Sequence, residues 1–314
     1  MVIYGDGDFY KYVEHTVTLL IDNRTIRDFK FGLVVKYPSR LRGIPAPILG
    51  ISIGRANIPE TFLEQLRRRE AITTPSYSIH VKEQGPGVSG TLVLDDSDMT
   101  LDHSIAFSKR MLAEGALAAS LWPLKLFDPL GNQLEDSRTS GEAKPALVDT
   151  GATSLYIPRK DFQKILDVTW ETMRKQETSF GIEKSKQLLC DDRWVRMVRK
   201  EALPHLPTLA YRIGALPYTI DIRMEPKHYV HSCEALCCQM DVDPKHSGTT
   251  SLGHPLFRAY DLTFNLSNRR LYFSSGGKNS TLLTQGLSLQ PASAETAPQT
   301  EKKLSFFRRL TFRK

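Results

Sequence analysis

The sequence predicts an all-β protein with few short helices. Short alternating runs of apolar and polar residues, separated by turns that contain Gly or Pro, recur along most of the 314 residues. Hydrophobic residues make up 40% and charged residues 25%, which is the balance of an ordinary globular protein. A chain of this length is expected to form more than one compact unit.

The first hundred residues contain two hairpin patterns and one helical pattern. Residues 16–35 alternate around a turn at Asn23, and residues 77–94 alternate around a Gly-Pro-Gly turn, so each stretch predicts a β-hairpin. Between them, apolar residues at helical spacing with flanking charges predict a short amphipathic helix over residues 59–69.

A boundary between two lobes is predicted at residue 103, with a first lobe over residues 1–103 and a second lobe over residues 104–277. In the second lobe the sequence predicts these elements in order: strands at 121–127 and 146–148, a helix at 158–168, a hairpin at 208–223 and a strand at 271–273. The charged residues 171–186 predict an excursion on the surface.

Residues 278–314 predict a basic, disordered tail, because residues 276–300 are rich in Ser, Thr, Gln, Gly and Pro. Seven Lys or Arg against two Glu give this tail +5 of the total formal charge of +7. Because the positive charge is concentrated in an appendage, it argues against a nucleic-acid-binding groove. Cations among large apolar side chains near its end can also contact an anionic membrane surface weakly, the alternative being a fully solvated tail.

Four cysteines are present, and their spacing does not favour a metal site. Cys190 stands alone, whereas Cys233, Cys237 and Cys238 lie within six residues of one another. Zinc would require paired ligands at two separate places, and the sequence has no second pair with that spacing. No metal or cofactor is therefore expected, and no apolar run approaches the ~18 residues of a membrane span.

The segment from Ala146 to Thr153 carries the clearest sign of chemistry. Its three apolar strand residues are followed by Asp149, Thr150 and Gly151, so the strand would direct a carboxylate into a tight turn that glycine makes possible. Such a triplet alone is weak evidence, because Asp-Thr-Gly also forms ordinary turns between strands. Its context in the rest of the chain is needed.

Three further segments supply that context. One of them, residues 2–7, matches the flap of a known family, and the other two, residues 47–51 and 250–264, match its two hydrophobic-hydrophobic-glycine segments. They occur in the order that the family requires, the first two before the Asp149 turn and the third after it. Together these four segments resemble the pepsin-like aspartic peptidases. The resemblance implies a pepsin-like bilobal fold whose first lobe is incomplete here, because the chain begins at the flap.

The resemblance also implies an endopeptidase in which two carboxylates, one from each lobe, activate a water molecule that attacks the peptide bond. Asp149 would supply one carboxylate. The sequence contains no second Asp-Thr-Gly and no Asp-Ser-Gly. The partner implied is a peptide or protein substrate, the chain is expected to be a monomer, and no cofactor is implied.

Neighbouring residues take roles by the same resemblance. Thr150 would bond across to the opposite turn, and Thr153 would bond the local backbone. Ala152 departs from the usual Thr or Ser and matches the Asp-Thr-Gly-Ala of retroviral proteases, which act as homodimers. His254 stands where the family commonly has Asp. In the flap, the Tyr4 ring would cover the substrate, with flexibility from Gly5 and Gly7 and with Asp6 at the tip; alternatively, Tyr4 is an exposed aromatic near a terminus.

The family resemblance further implies one disulfide in the second lobe, from Cys190 to Cys233, Cys237 or Cys238. It implies the secretory pathway, with an extracellular or vacuolar or lysosomal destination, although residues 1–30 have no signal-peptide pattern. Three Asn-x-Ser/Thr triplets, at Asn23, Asn265 and Asn279, fit a secretory history.

Three functional hypotheses follow. The first is an aspartic endopeptidase whose sequence here is truncated before its first catalytic turn. The second is a catalytically inactive relative that binds peptides. The third, a homodimer in which two copies of Asp149 complete the site, is disfavoured because most of a first lobe already occupies the face that a partner would need. A first lobe without its opening strands also predicts unpaired sheet edges and poor solubility.

Overall fold

The computed structural model of the chain describes most of its residues, and the statements that follow refer to these. They are residues 2–3, 9–21, 23–37, 48–52, 54, 60–82, 88–96, 103–108, 116–134, 141–176, 188–190, 196–245, 249–274, 283–285 and 308–312. The described chain divides into two compact units, residues 1–75 and residues 76–314.

Unit 1 is built on a long β-hairpin. Its strands are β1 (Val2–Ile3), β2 (Phe9–Ile21) and β3 (Arg24–Lys36), which form an antiparallel sheet in the order β1-β2-β3. β-Branched and aromatic residues fill β2 and β3, as expected for strands. The hairpin predicted over residues 16–35 is therefore confirmed and is longer at both ends.

The helix α1 (Phe62–Arg68) follows the hairpin and begins later than predicted. Thr61 caps it, since its hydroxyl accepts the Glu64 N–H at 3.3 Å and its own N–H donates to Glu64 Oε2 at 2.7 Å. The predicted start after residue 59 was wrong because this capping box was not recognised. Phe62 packs edge-on against Phe29 with ring centroids 5.6 Å apart, which fixes α1 on the hairpin.

One face of the hairpin is covered near the turn, where Ile21, Ile26 and Phe29 are buried, and is exposed farther from the turn. The exposed apolar side chains of this face are those of Val13, Val17, Phe31 and Leu33, whereas Leu20 is exposed on the opposite face. Apolar side chains grouped on one sheet face normally pack against another layer. The predicted incompleteness of the first lobe and the predicted poor solubility both stay predictions.

Unit 2 contains most of the strands and helices. In chain order its strands are β4 (Ser76–Val81), β5 (Gly90–Leu94), β6 (Ser104–Ala106), β7 (Ala118–Leu121), β8 (Lys125–Phe127), β9 (Lys144–Val148), β10 (Leu155–Pro158), β11 (Met197–Arg199), β12 (Thr208–Ala215), β13 (Tyr218–Met224), β14 (Val230–Cys233), β15 (Cys237–Met240), β16 (Val242–Lys245), β17 (Ser251–Leu252), β18 (Asp261–Asn265), β19 (Arg270–Ser274), β20 (Leu283–Gln285) and β21 (Arg308–Phe312). The helices are α2 (Arg159–Gln176), α3 (Pro226–Tyr229), α4 (His254–Ala259) and a 3-10 helix at Lys200–His205.

These strands form three sheets in the described chain. The largest has nine strands in the order β16-β10-β17-β9-β7-β12-β13-β20, with β8 also paired to β12. A second has six strands in the order β21-β5-β4-β18-β19-β6, and a third is β11-β15-β14. Predicted hairpins β4–β5 and β12–β13 are confirmed, whereas the single strand predicted at 121–127 is two strands, β7 and β8. Both pair with β12, at different residues, and β7 also pairs with β9.

The helix α2 extends eight residues beyond its predicted end at residue 168. Trp170 and Met173, both at most 8% exposed, continue its buried face, so the charged residues 171–176 are helical. The prediction of a surface excursion was therefore wrong for residues 171–176. Charged residues dominate this part of the helix and only a few apolar residues mark its buried face, so the helical pattern was not recognised. Residues 177–186 lie outside the described chain.

An aromatic core supports the six-stranded sheet. The ring of Phe264 on β18 stacks on Tyr77 of β4 with centroids 4.7 Å apart, and Phe107 and Phe257 stack near it at 6.4 Å. All four rings are at most 5% exposed. Such packing fixes the position of β4 against α4, which carries Phe257.

The observed units cut across the predicted lobes. Because β4 and β5 pair with β18 and β21, unit 2 begins at Ser76, and the predicted lobe boundary at residue 103 stays a prediction. Of the predicted tail, residues 278–314, the structure describes the backbones of β20 and β21, and the other tail residues lie outside it. In the described chain, every helix is too short or too polar to cross a membrane.

Candidate active site

The turn that carries Asp149 follows directly after β9 of the nine-stranded sheet. β9 lies parallel to β17, with Leu147 opposite Ser251 and Val148 opposite Leu252. The Asp149 N–H donates to the Leu252 carbonyl at 3.1 Å, so the pairing continues to the first residue of the turn. The carboxylate therefore projects from the end of a strand, as the sequence predicted.

Backbone groups of the turn hold this carboxylate. The Gly151 N–H donates to Asp149 Oδ1 at 2.8 Å, and the Ala152 N–H donates to the Asp149 carbonyl at 3.2 Å. A methyl group on residue 151 would lie 3.2 Å from Asp149 Oδ1, closer than an ordinary contact, so glycine allows this hydrogen bond without crowding. Asp149, Thr150 and Gly151 are exposed, which leaves the carboxylate accessible to a reactant.

The segment after β17 closes on the turn from the other side. A Cβ on Gly253 would come within 2.3 Å of the Ser154 carbonyl oxygen and 2.4 Å of the Ala152 carbonyl oxygen, so this close approach requires glycine. Next to it, the His254 N–H donates to the Ala152 carbonyl at 3.0 Å, and its Nε2 lies 3.3 Å from the Thr150 carbonyl oxygen. His254 is therefore part of the turn's support.

Tyr77 is a neighbour of the site that sequence reasoning missed. Its side chain is 2% exposed. Burial, and after it the negative charge of Asp149, raises the pKa of the Tyr77 phenol far above its ordinary value. Tyr77 therefore stays neutral and lies within the electrostatic field of the carboxylate. No sequence signal connects the two residues, because β4 belongs to a separate hairpin.

The other predicted site residues are only partly described. The side-chain hydroxyls of Thr150 and Thr153 have no hydrogen-bond partner among the described residues, so the roles expected of them stay predictions. All four flap residues lie outside the described residues: Tyr4, Gly5, Asp6 and Gly7.

All four cysteines form disulfides. Cys190 bonds to Cys237, which confirms the implied bond and selects its partner. Cys233 bonds to Cys238, a second disulfide that was not predicted. The second bond links β14 to β15 across their hairpin. In the described chain, no group of three or more His, Cys, Asp or Glu side chains could hold a metal ion.

A second aspartate of unit 2, Asp241, lies in a buried charged cluster. Its Oδ2 accepts hydrogen bonds from Arg258 Nη1 and His231 Nε2, both at 2.7 Å, and its Oδ1 accepts one from Gln239 at 3.0 Å. Burial by itself raises the pKa of Asp241, but the hydrogen bonds from His231 and Arg258 outweigh it and hold the pKa below its ordinary value. This carboxylate is ionised, and both of its oxygens accept hydrogen bonds.

Comparison with known sequences identifies the family. The sequence profile described as eukaryotic aspartyl protease matches residues 1–275 of the chain. The chain belongs to this family. The pepsin-like resemblance of the sequence is thereby confirmed.

Gastricsins are among the relatives of this aspartyl protease family member. Gastricsin from Callithrix jacchus is 23% identical over 288 residues, which cover 87% of this chain and 65% of that protein. The gastricsins of Macaca fuscata fuscata and Homo sapiens are each 22% identical, cover 87% of this chain, and are themselves covered to 67% and 65%. The chain thus spans about two thirds of the length of the curated relatives that it matches.

A solved structure agrees with the fold. The crystal structure of the aspartic proteinase from Irpex lacteus superposes with a TM-score of 0.64 at 14% identity, covering 89% of this chain and 82% of that chain. At this identity the likeness concerns the fold alone. It confirms the predicted pepsin-like, mostly β class.

Proposed function

We propose that the chain is an aspartic endopeptidase in which Asp149 is one of two catalytic carboxylates. Two carboxylates held close together share one proton, because neighbouring like charges do not both ionise readily. The ionised one takes a proton from a water molecule, whose oxygen then attacks the scissile carbonyl carbon. The protonated one donates its proton to the carbonyl oxygen. The tetrahedral intermediate collapses when the proton first taken from water is transferred to the leaving nitrogen, which departs as the amine.

One observation carries this proposal: the Asp149 carboxylate is exposed at the end of β9, an inner strand of the nine-stranded sheet, and accepts a hydrogen bond from the Gly151 N–H. That bond orients one oxygen and leaves the other available for a water molecule. Gly253 and His254 hold the turn on its other side. Gly253 packs closely against the carbonyl oxygens of Ala152 and Ser154, and the His254 N–H donates to the Ala152 carbonyl. The carboxylate is therefore held in a defined orientation before substrate arrives.

The test is cleavage of a denatured protein substrate at acidic pH by the purified chain. We expect Asp149→Asn to abolish cleavage, because an amide cannot accept the proton of the attacking water. Asp221→Asn is the matched control, since Asp221 pairs with Arg212 on the partly exposed surface of the β12–β13 hairpin. Cleavage that survives Asp149→Asn would refute the assignment.

A peptide-binding, catalytically inactive relative is the second candidate. It is favoured by the sequence itself, which holds one Asp-Thr-Gly and no Asp-Ser-Gly. This hypothesis expects affinity for an extended peptide without turnover. Titration of a labelled peptide into the full chain, followed by mass analysis of that peptide, separates the two candidates: intact bound peptide supports the binding protein, and cleaved peptide supports the enzyme.

We infer that the chain passes through the secretory pathway, since its two disulfides suit an oxidising compartment.

We propose a monomer that acts on peptides or proteins and does not bind nucleic acid. Static light scattering would test this state, and a doubled mass that falls on dilution would favour the homodimer instead. Weak contact of the basic tail with anionic membranes stays part of the proposal and is testable with phosphatidylserine vesicles against neutral ones.

A further inference from the structure

The turn of the β2–β3 hairpin carries an acceptor triplet for N-linked glycosylation. Asn23, Arg24 and Thr25 form the Asn-x-Thr pattern, with Asn23 between the two strands and Arg24 at the start of β3. All three residues are exposed. We propose that Asn23 carries an N-linked glycan, an inference that rests on the proposed passage through the secretory pathway.

The hairpin geometry makes this position suitable. Ile21 pairs with Arg24 as the last pair before the turn, and Leu20 pairs with Thr25. Cross-strand partners lie on the same face of a sheet, so the Thr25 side chain lies beside the exposed Leu20 rather than toward the buried Ile21. A glycan at the turn therefore extends into solvent without displacing a packed side chain.

The triplet at Asn265 offers a direct contrast. Asn265 is the last residue of β18 and is 7% exposed, with Ser76 and Arg270 as its strand partners. Its Oδ1 accepts the Asn268 N–H at 2.9 Å. A glycan on its Nδ2 would have to displace the residues packed around this buried side chain or push the residue out of the sheet, so the folded chain has no room for it. The third triplet, at Asn279, lies outside the described residues.

The disulfides point to the same compartment. Both bonds form under oxidising conditions, which in eukaryotic cells prevail where N-glycans are added. In the modification, Asn23 Nδ2 forms a bond to the anomeric carbon of an oligosaccharide carried on a lipid pyrophosphate. The bond from that carbon to the pyrophosphate oxygen breaks, the lipid pyrophosphate leaves with the electron pair, and the amide nitrogen loses one proton.

A glycan at this turn has a physical effect on unit 1. Leu20 is 69% exposed beside the triplet, on the same face as Thr25. A large hydrated group next to this side chain hinders its contact with another apolar surface. The glycosylated chain should therefore self-associate less than the same chain after removal of the glycan.

The experiment expresses the full chain behind a cleavable signal peptide in a secreting eukaryotic cell line. Chain from both cells and medium is treated, in water enriched in oxygen-18, with an amidase that releases N-glycans and converts the glycosylated Asn to labelled Asp. Peptide mass spectrometry then reports occupancy at each triplet. We expect label at residue 23 and none at residue 265 in monomeric chain.

Matched variants sharpen the result. Asn23→Gln and Thr25→Ala should remove the glycan, Thr25→Ser should retain it, and Arg24→Lys should leave it unchanged. Absence of label at residue 23 in disulfide-bonded chain would overturn the proposal, as would label at residue 265 in monomeric chain. Equal self-association with and without the glycan, measured by sedimentation velocity, would overturn the shielding effect. Peptidase assays on the same material test the proposed activity separately, because occupancy does not depend on turnover.

Discussion

Two aspartates of unit 2 have opposite surroundings. Asp149 lies on an exposed turn, where a single backbone N–H, that of Gly151, bonds its carboxylate within the turn. Asp241 is 3% exposed and accepts hydrogen bonds from Arg258, His231 and Gln239. The first carboxylate is oriented yet accessible, whereas the second is fully engaged in the fold.

The difference shows how one residue type serves two purposes. A buried carboxylate must be paired and hydrogen-bonded, since an unpaired charge away from water is costly. A reactive carboxylate must instead keep one oxygen accessible to water or substrate while its backbone is fixed. In this molecule the strands and glycines around residues 149–153 fix the backbone, so we expect the fold to need no charge on Asp149.

Removal of the Asp241 carboxylate should have the largest effect. Asp241→Asn leaves the buried Arg258 guanidinium without its counter-charge, so the free energy of unfolding should fall by ~3–5 kcal/mol. Urea denaturation followed by tryptophan fluorescence measures this. Asp221→Asn, which breaks the partly exposed pair with Arg212, is the control and should cost no more than ~1 kcal/mol. Equal losses in the two variants would contradict the distinction.

A methyl group at residue 253 should have the next largest effect. Gly253→Ala forces its Cβ against the carbonyl oxygens of Ala152 and Ser154, so we expect a loss of ~1–3 kcal/mol. Displacement of the Asp149 turn should also lower any peptidase activity. Gly50→Ala is the control, because a Cβ there meets no atom within 4 Å. Wild-type stability of the Gly253 variant would show that the two segments are not tightly packed.

Acid should reduce the stabilisation that the Asp241 carboxylate gives to the folded state. Its folded-state pKa lies below the unfolded value of about 4, so the unfolded chain binds more protons in acid. The stabilisation is therefore complete above pH ~4 and is lost as pH falls through the folded pKa. The stability difference between wild type and Asp241→Asn, measured by denaturation from pH 6 downward in ~0.5 steps, should shrink. A difference independent of pH would refute this linkage.

Substitution of Asp149 should have the smallest effect on stability. Asp149→Asn keeps an oxygen that can accept the Gly151 N–H, and the side chain is exposed, so the free energy of unfolding should change by no more than ~0.5 kcal/mol. Thermal unfolding in the same buffers provides the measurement. A loss as large as that of Asp241→Asn would mean that the turn depends on its charge.

The sequence predicted the elements that have local signals. Alternation gave the β2–β3, β4–β5 and β12–β13 hairpins, and the apolar run before Asp149 gave β9 with its turn. The strand periods and turn residues suffice for these, because their partners are close in the sequence.

Other features depend on partners far away in the sequence. The contact of His254 with Thr150 joins residues 104 positions apart, and Tyr77, whose pKa the charge of Asp149 helps to raise, lies on β4, 72 residues before Asp149 in the sequence. Likewise, an isolated Asp, His and Arg gave no pattern before the fold brought Asp241, His231 and Arg258 together. The sequence could not say which cysteine bonds Cys190, since three candidates lie within six residues.

The bond between Cys190 and Cys237 encloses a sequence separation of 47 residues. A single backbone cut anywhere inside this loop leaves two fragments that are still joined by at least one disulfide. A nicked chain would therefore migrate as intact on a non-reducing gel and separate into two bands once the thiols are reduced. For a protein proposed to cut polypeptides, self-inflicted damage in that loop would be visible only after reduction.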